Sequence, residues 1–176
     1  MQSVAWWPTC VVLAIATVTD LRSRRIPNWL VVPYLAAGFA VPAWFHGWAG
    51  FWQSLEGFGL GVRVYGFLHW MGGMGMGDVK LVAAIGAWIG PHQLILSMVV
   101  TAMAGGIMAL SWAVAGGFIG ELGQSTGDLV LGWKRGVRPN PEFQLANPKK
   151  RKIPYAPAIA IGTLISFFCQ LSTLTK

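Results

Sequence analysis

The sequence predicts an all-α polytopic membrane protein, a bundle of about six transmembrane helices with both termini on the outer side of the membrane. Three observations predict it. Apolar and aromatic residues make up 55% of the chain, and charged residues only 11%. The apolar residues form runs separated by charge, proline or glycine, and the basic residues collect in alternate connections. This composition excludes an ordinary soluble domain, so we expect the lipid bilayer to surround the chain.

Six apolar runs account for the predicted helices, and they lie at residues 4–19, 29–45, 51–70, 79–89, 94–115 and 155–171. No basic segment precedes the first run, so we expect a retained helix there rather than a cleaved signal peptide. The fourth run is too short to cross about 30 Å of hydrocarbon at about 1.5 Å per residue, so neighbouring helices must cover its polar end. Together the runs predict a single membrane-embedded domain over residues 1–176.

Basic residues orient the bundle, because they favour the cytoplasmic side. They follow the first run, open the fourth, and fill the connection between the fifth and sixth: Arg22, Arg24, Arg25, Lys80, Lys134, Arg135, Arg138, Lys149, Lys150, Arg151 and Lys152. With six spans these connections share one side, so residues 116–153 form a cytoplasmic loop, either along the anionic inner leaflet or solvated. The net charge of +7 then reflects topology. We expect no nucleic-acid partner, because no basic surface interleaved with aromatic residues accompanies that charge.

Tryptophans at the predicted span ends support the same arrangement, because their amphipathic rings favour both membrane interfaces. The outer belt is predicted to contain Trp6, Trp7, Trp44, Trp48, Trp52 and Trp88, and the inner belt Trp29, Trp70, Trp112 and Trp133. A belt of this kind needs no ligand to explain it.

Two acidic residues stand at the cytoplasmic ends of predicted spans. Asp20 closes the first run in "VTDLRSRRIPNWL", and Asp78 opens the fourth in "GMGDVKL". Counting about 1.5 Å per residue from the outer ends places both carboxylates short of the inner edge of the hydrocarbon. Acids at such depth usually face a bundle interior or a water-filled cavity, where they have a function.

Each aspartate also has a structural explanation. Asp20 can act as a stop signal paired with Arg24, and Asp78 can cap the N-terminus of the fourth helix. Their similar depth on one face favours a functional pair instead. Two adjacent carboxylates cannot both ionise easily, so such a pair can hold one proton, activate a water molecule and protonate a leaving group.

Three segments resemble the type IV prepilin peptidase family, in the same order. "GMGD" at 75–78 fits the GxGD signature of intramembrane aspartyl proteases, "DLRSRRIPN" at 20–28 is similar to the family's first-aspartate segment, and "KIPYAPAIAIG" at 152–162 is similar to the start of its last helix. The resemblance implies a multi-pass peptidase of the bacterial inner membrane with Asp20 and Asp78 as catalytic residues. It implies a prepilin or pseudopilin substrate, of type IV or tight-adherence systems, cut at the cytoplasmic face just before its hydrophobic segment, and neither a metal nor an organic cofactor.

Glycines before the second aspartate suggest how a peptide is held. Gly72, Gly73, Gly75 and Gly77 lack side chains, which permits unusual φ values and the close approach of a second backbone. We therefore expect Gly75 and Gly77 to bind substrate through main-chain hydrogen bonds. The alternative is that these glycines serve only tight helix packing.

Two features of this sequence differ from the family that it resembles. Its larger members carry an extra cytoplasmic domain with paired CxxC motifs and an N-methyltransferase activity, and this chain has no such motifs. It resembles the short peptidase-only form of tight-adherence pilus systems, so we expect no separate methyltransferase domain. Arg63 lies inside the third run, where it needs water or an acidic partner. Glu56 and a carboxylate on another helix are both candidate partners.

Two other classes of function stay open from the residues alone. A small transporter or proton channel would use Asp20 and Asp78 as an intramembrane proton relay, and relay acids should connect both faces of the membrane. A non-catalytic assembly subunit would need neither aspartate. Glu121, Asp128 and Glu142 are equal candidates to meet a basic leader segment, and the three histidines show no metal-ligand spacing.

Overall fold

The computed structural model describes residues 2–71, 73–116 and 155–174. Four helices form the described part of the chain: α1 (Gln2–Ser23), α2 (Asn28–Trp70), α3 (Met76–Gly116) and α4 (Ala156–Leu174). Within these residues the prediction of an all-α fold is confirmed. Two helical stretches, Asn28–Trp70 and Met76–Ser111, are long and apolar enough to cross a membrane.

Helix α2 folds back on itself at Gly47, whose φ of 58° and ψ of −139° are not helical. The Ser54 hydroxyl donates a 2.9 Å hydrogen bond to the Gly38 carbonyl. A straight helix would separate these residues by about 24 Å, so the contact requires a reversal. The two arms correspond to the predicted runs 29–45 and 51–70.

Helix α3 reverses in the same way at Gly90, where φ is 75° and ψ is 174°. Tyr65 hydrogen-bonds Thr101 and also lies within electrostatic reach of Asp78. These two partners of Tyr65 would be about 35 Å apart along a straight helix. The arms of α3 correspond to the predicted runs 79–89 and 94–115.

The first arm of α3 is the centre of the bundle, with every residue from Leu81 to Gly90 buried. It packs against α2, and α3 also packs along α4. Gly57 and Gly86 let two backbones touch, because a Cβ atom on either would overlap the other's carbonyl group. Small residues permit this close packing between membrane helices. The short fourth run is therefore covered by protein, as the sequence required.

Helix α1 joins this core through polar and aromatic contacts. The hydroxyls of Thr9 and Tyr34 are 2.6 Å apart, and the ring of Trp6 stacks on Phe167 at 4.6 Å. Placing Trp88 in the outer interfacial belt was wrong. Its indole N–H donates a 2.8 Å hydrogen bond to the Tyr34 carbonyl, and the side chain is buried.

Most other predicted belt residues within the described ranges are exposed, as interfacial residues must be: Trp7, Trp29, Trp44, Trp48, Trp52 and Trp70. Arg63 and Glu56 are also exposed, on the outside of the second arm of α2. The predicted cytoplasmic loop beyond residue 116 lies outside the described residues, with Trp133, Glu121, Asp128 and Glu142.

Candidate active site

Asp20 lies in the last turn of α1 and is buried, with only 6% of its surface exposed. The helix ends just beyond it. Arg24 has a positive φ of 51°, and its N–H donates to the Asp20 carbonyl at 2.8 Å, which is the usual way a helix terminates in the left-handed conformation. The Asp20 side chain points into the bundle, where its Oδ2 accepts a 3.0 Å hydrogen bond from the backbone N–H of Ala156.

Asp78 lies in the first turn of α3 and is half-buried. Its carboxylate accepts a hydrogen bond from the backbone N–H of Gly75. The Asp78 N–H in turn donates to the Gly75 carbonyl at 3.2 Å. This reciprocal pattern satisfies donors at the start of a helix. The structural explanation of Asp78 as a helix cap is therefore partly correct, because the side chain does serve the start of α3.

The fold brings the two predicted aspartates together. The Asp78 carboxylate lies within electrostatic reach of Asp20, although the two residues come from different helices. The end of α1, the start of α3 and the start of α4 meet at this one site. No group of three or more potential metal ligands occurs among the described residues.

Gly75 and Gly77 precede Asp78 around the start of α3, and neither has the unusual φ value that the sequence suggested. Within the described residues, the only glycines with positive φ are Gly47 and Gly90, so neither Gly75 nor Gly77 adopts a backbone closed to other residues. A Cβ atom on Gly75 would lie 3.1 Å from Oδ2 of Asp78, and one on Gly77 would lie 3.3 Å from Cβ of Ile26. These glycines leave space beside the carboxylate and the α1–α2 turn.

Sequence reasoning missed a pair of tyrosines near Asp78. Tyr155 and Tyr65 both lie within electrostatic reach of that carboxylate. Gly105 accommodates the phenol of Tyr155, because a Cβ atom there would overlap its hydroxyl group. The signal for Tyr155 was present in the segment "KIPYAPAIAIG", where the tyrosine directly precedes the start of α4.

Two further contacts fix the surroundings of the pair. The Lys80 ammonium donates a 3.2 Å hydrogen bond to Oδ1 of Asn28, which ties α3 to the start of α2. A ring nitrogen of His69, Nδ1, lies 2.8 Å from the Met74 carbonyl oxygen and holds the glycine-rich turn. These contacts orient the backbone on both sides of Asp78.

Comparison with known proteins points to one family. The model of the type IV leader peptidase family matches residues 7–110. The chain is 29% identical over 119 residues to a prepilin leader peptidase/N-methyltransferase of Burkholderia pseudomallei (strain 1026b), covering 61% of this chain and 37% of the relative. It is 26% identical over 158 residues to the protein of that name from Bacillus subtilis (strain 168), covering 88% of this chain and 51% of the relative.

A prepilin leader peptidase/N-methyltransferase of Aeromonas hydrophila is 30% identical to the chain over 106 residues, which cover 56% of this chain and 36% of the relative. The chain thus spans between 36% and 51% of the length of these three curated relatives. No solved structure matches the chain.

Proposed function

Because the chain belongs to the type IV leader peptidase family, whose model matches residues 7–110, we propose that it is an aspartic endopeptidase that removes the leader from prepilins. The relatives' names supply the substrate class. The substrate would be a type IV or tight-adherence prepilin or pseudopilin, cut at the cytoplasmic face of the bacterial inner membrane.

The single observation that carries this proposal is the meeting of Asp20 and Asp78 at one end of the bundle. Two close carboxylates share a proton more readily than they both ionise. A water molecule held between them can be deprotonated by one carboxylate while the other protonates the peptide carbonyl oxygen. This chemistry needs two acids held at fixed positions, and Asp20 and Asp78 lie on the helices α1 and α3.

Gly75 and Gly77 fit a substrate-binding role in this proposal. Gly75 is exposed beside the Asp78 carboxylate, so an extended peptide can approach the turn without meeting a side chain. Main-chain hydrogen bonds of the kind made in strand addition would then hold the peptide against the aspartates.

The topology belongs to the same proposal. We place α1, the two arms of α2, the two arms of α3 and α4 as six crossings of the inner membrane, with both termini outside and residues 1–176 as one peptidase domain. The reversals at Gly47 and Gly90 then face the outer side. The turn at residues 24–27 and the glycine-rich turn before α3 face the cytoplasm, which supplies water to the aspartates.

The placement of the acids favours a peptidase over a proton channel. Asp20 and Asp78 both lie at one end of the bundle, and a cavity of about 230 Å³ lies at the opposite end, lined in part by His46 and Gln93. Among the described residues the buried polar groups between the two ends are hydroxyl groups and not acids, and the third acid, Glu56, is exposed. Proton relays in membranes use chains of Asp, Glu or His instead.

The test is cleavage of a tagged prepilin co-expressed with wild type, Asp20→Asn or Asp78→Asn, followed by the precursor's size on a gel. We expect wild type to shorten the precursor and each variant to leave it intact, with losses of at least about a thousandfold because both acids act as a unit. Glu56→Gln is the matched control, since it neutralises an exposed acid of the same bundle. Processing by both aspartate variants would refute the proposal.

A further inference from the structure

The cavity at the end of the bundle opposite the aspartates has walls from all four helices. It has a volume of about 230 Å³ and lies beside the reversal of α3 at Gly90. Residues of α1, of both arms of α2, of α3 and of α4 line it, and three of them bring polar side chains that can meet a ligand: His46, Gln53 and Gln93. Neither proposed catalytic aspartate is among the lining residues, so a ligand bound here lies outside the proposed active site.

Gln93 is the buried polar residue of this cavity, with 8% of its surface exposed. Its backbone carbonyl accepts a 3.2 Å hydrogen bond from the Ser166 hydroxyl, which fixes its position against α4. Its side-chain Nε2 is buried and has no hydrogen-bond partner within the described residues. A buried donor without an acceptor is costly and calls for an explanation. The terminal torsion of glutamine is broad, so an oxygen atom in the cavity can accept this N–H.

Gln53 and His46 lie at the mouth of the cavity, where both are exposed. The amide of Gln53 lies against the reversal of α3, because a Cβ atom on Gly90 would be 2.9 Å from its Nε2. The Gln53 amide and the His46 ring therefore stand at the entrance, and the Gln93 amide stands inside. A ligand that enters the cavity meets a hydrogen-bonding group at each depth.

The remaining polar side chains of the lining already have partners. The Ser54 hydroxyl donates to the Gly38 carbonyl at 2.9 Å, and the Trp88 indole N–H donates to the Tyr34 carbonyl at 2.8 Å. The lining contains no aspartate, glutamate, lysine or arginine. Two amides and an imidazole ring are thus the groups left to recognise a ligand.

These groups suit an anionic oxygen that carries one negative charge. Hydrogen bonds to an ionised acceptor are stronger than those to a neutral one, and no carboxylate in the lining repels an anion. A group with two negative charges would need a lysine or arginine to offset its desolvation, and the lining has neither. The cavity also exceeds several times the roughly 30 Å³ that one water molecule occupies in the liquid. A phosphodiester meets these conditions.

The surface around the mouth indicates where a phosphodiester comes from. Trp44, Phe45 and Trp48 surround His46 in the chain, and all three are exposed. Exposed aromatic rings beside a polar mouth are typical of the membrane interface, at the level of the lipid headgroups. A phospholipid presents its phosphodiester at that level, and its acyl chains cover the apolar surface nearby.

We propose that this cavity binds the phosphodiester of a phospholipid headgroup, taken from the leaflet at this end of the bundle. Gln93 and Gln53 donate to the phosphoryl oxygens, and His46 stands at the mouth. Because residues of all four helices line the cavity, the bound headgroup joins them and stabilises the folded state by mass action. The inference goes beyond the proposed peptidase function and does not depend on it.

The test measures lipid binding by the delipidated full-length protein in a non-ionic detergent. Thermal unfolding is followed during titration with dioleoylphosphatidylglycerol, with inorganic phosphate alone, and with dioleoylglycerol, which has acyl chains but no phosphate. We expect the phospholipid alone to raise Tm by several degrees. An equal rise with inorganic phosphate would overturn the lipid source. An equal rise with dioleoylglycerol, or no rise with the phospholipid because the cavity holds only water, would overturn the site itself.

Gln93→Met tests the role of the buried amide, because it keeps the length of the side chain and removes the N–H. We expect the apparent Kd for the phospholipid to rise about 10- to 100-fold, the loss that follows from one hydrogen bond to a charged group. Without lipid the Tm of this variant should equal or exceed that of wild type, since a buried donor without an acceptor is gone. A lower Tm together with an unchanged Kd would show that Gln93 is structural and would overturn the proposal.

His92→Met is the matched control, because His92 adjoins Gln93 in the chain, is exposed and does not line the cavity. Its Kd for the phospholipid should equal that of wild type, and an equal loss in both variants would contradict recognition by Gln93. Asp78→Asn separates this inference from the peptidase proposal. It should bind the phospholipid as wild type does, whether or not it cleaves a prepilin.

Discussion

Tyr155 connects the start of α4 to both aspartates. Its neighbour in the chain, Ala156, binds Asp20, and its phenol lies within electrostatic reach of Asp78. The ring occupies a place that Gly105 leaves open, since a Cβ atom on that glycine would lie 3.0 Å from Cε1 of the ring and closer to the hydroxyl. Any side chain at residue 105 must therefore move Tyr155, and with it the segment that holds Asp20.

The contact between Gly105 and Tyr155 predicts different outcomes for substitutions at two adjacent glycines. We expect Gly105→Ala to lower the free energy of unfolding by about 1–3 kcal/mol, because overpacking a filled site costs that much, and to lower the rate of peptide cleavage. Gly106→Ala places its methyl group in open space, so both quantities should stay near those of wild type. The measurements are thermal unfolding in detergent and the rate of cleavage of a synthetic prepilin peptide. Equal behaviour of the two variants would contradict the proposed seat of Tyr155.

The same residues show what the sequence alone was able to predict. Asp20 and Asp78 were predictable because a carboxylate at the end of an apolar run is costly and therefore conspicuous. Ala156 and Gly105 were not, because their roles depend on contacts between residues far apart in the chain. Trp88 was misplaced for a related reason. Its position near a span end fits an interfacial belt, and only the neighbouring Tyr34 shows that the ring faces inward.

At the scale of elements, the two helical hairpins depend on single glycines. Gly47 and Gly90 combine positive φ with extended ψ, a region that essentially only glycine occupies. The apolar runs predicted that helices end near these residues, and the arms match the predicted runs. The sequence did not show how tightly the arms close, because that depends on contacts such as Gly57 against Gly86.

We expect Gly90→Ala to destabilise the protein by about 1–3 kcal/mol, the cost of holding a non-glycine residue in this conformation, with an added clash. A Cβ atom there would lie 2.9 Å from Nε2 of Gln53. Gly47→Ala carries the conformational cost alone, since nothing lies within 4 Å of its Cβ position. Gly59→Ala is the control, because it sits in a helix with open space and should be neutral or slightly stabilising. Thermal unfolding in detergent should rank the losses as Gly90, then Gly47, then Gly59.

At the scale of the whole molecule, charge and fold point to the same orientation. The turn after α1 carries Arg24 and Arg25, and the start of α3 carries Lys80. The aspartates lie at this end of the bundle, whereas the reversals at Gly47 and Gly90 lie at the other. Basic residues favour the cytoplasmic side, which agrees with the proposed topology, in which the site opens to the cytoplasm.

This orientation predicts which residues a reagent reaches from outside. In a variant with Cys10→Ser and Cys169→Ser, we expect His46→Cys to react with a membrane-impermeant thiol reagent in spheroplasts. Arg24→Cys should react only after the membrane is opened. Both positions are exposed in the fold, so burial does not explain a difference between them. The reverse pattern would place Asp20 and Asp78 on the outer side, away from the cytoplasmic face at which the proposed cleavage occurs, and would contradict the proposed topology.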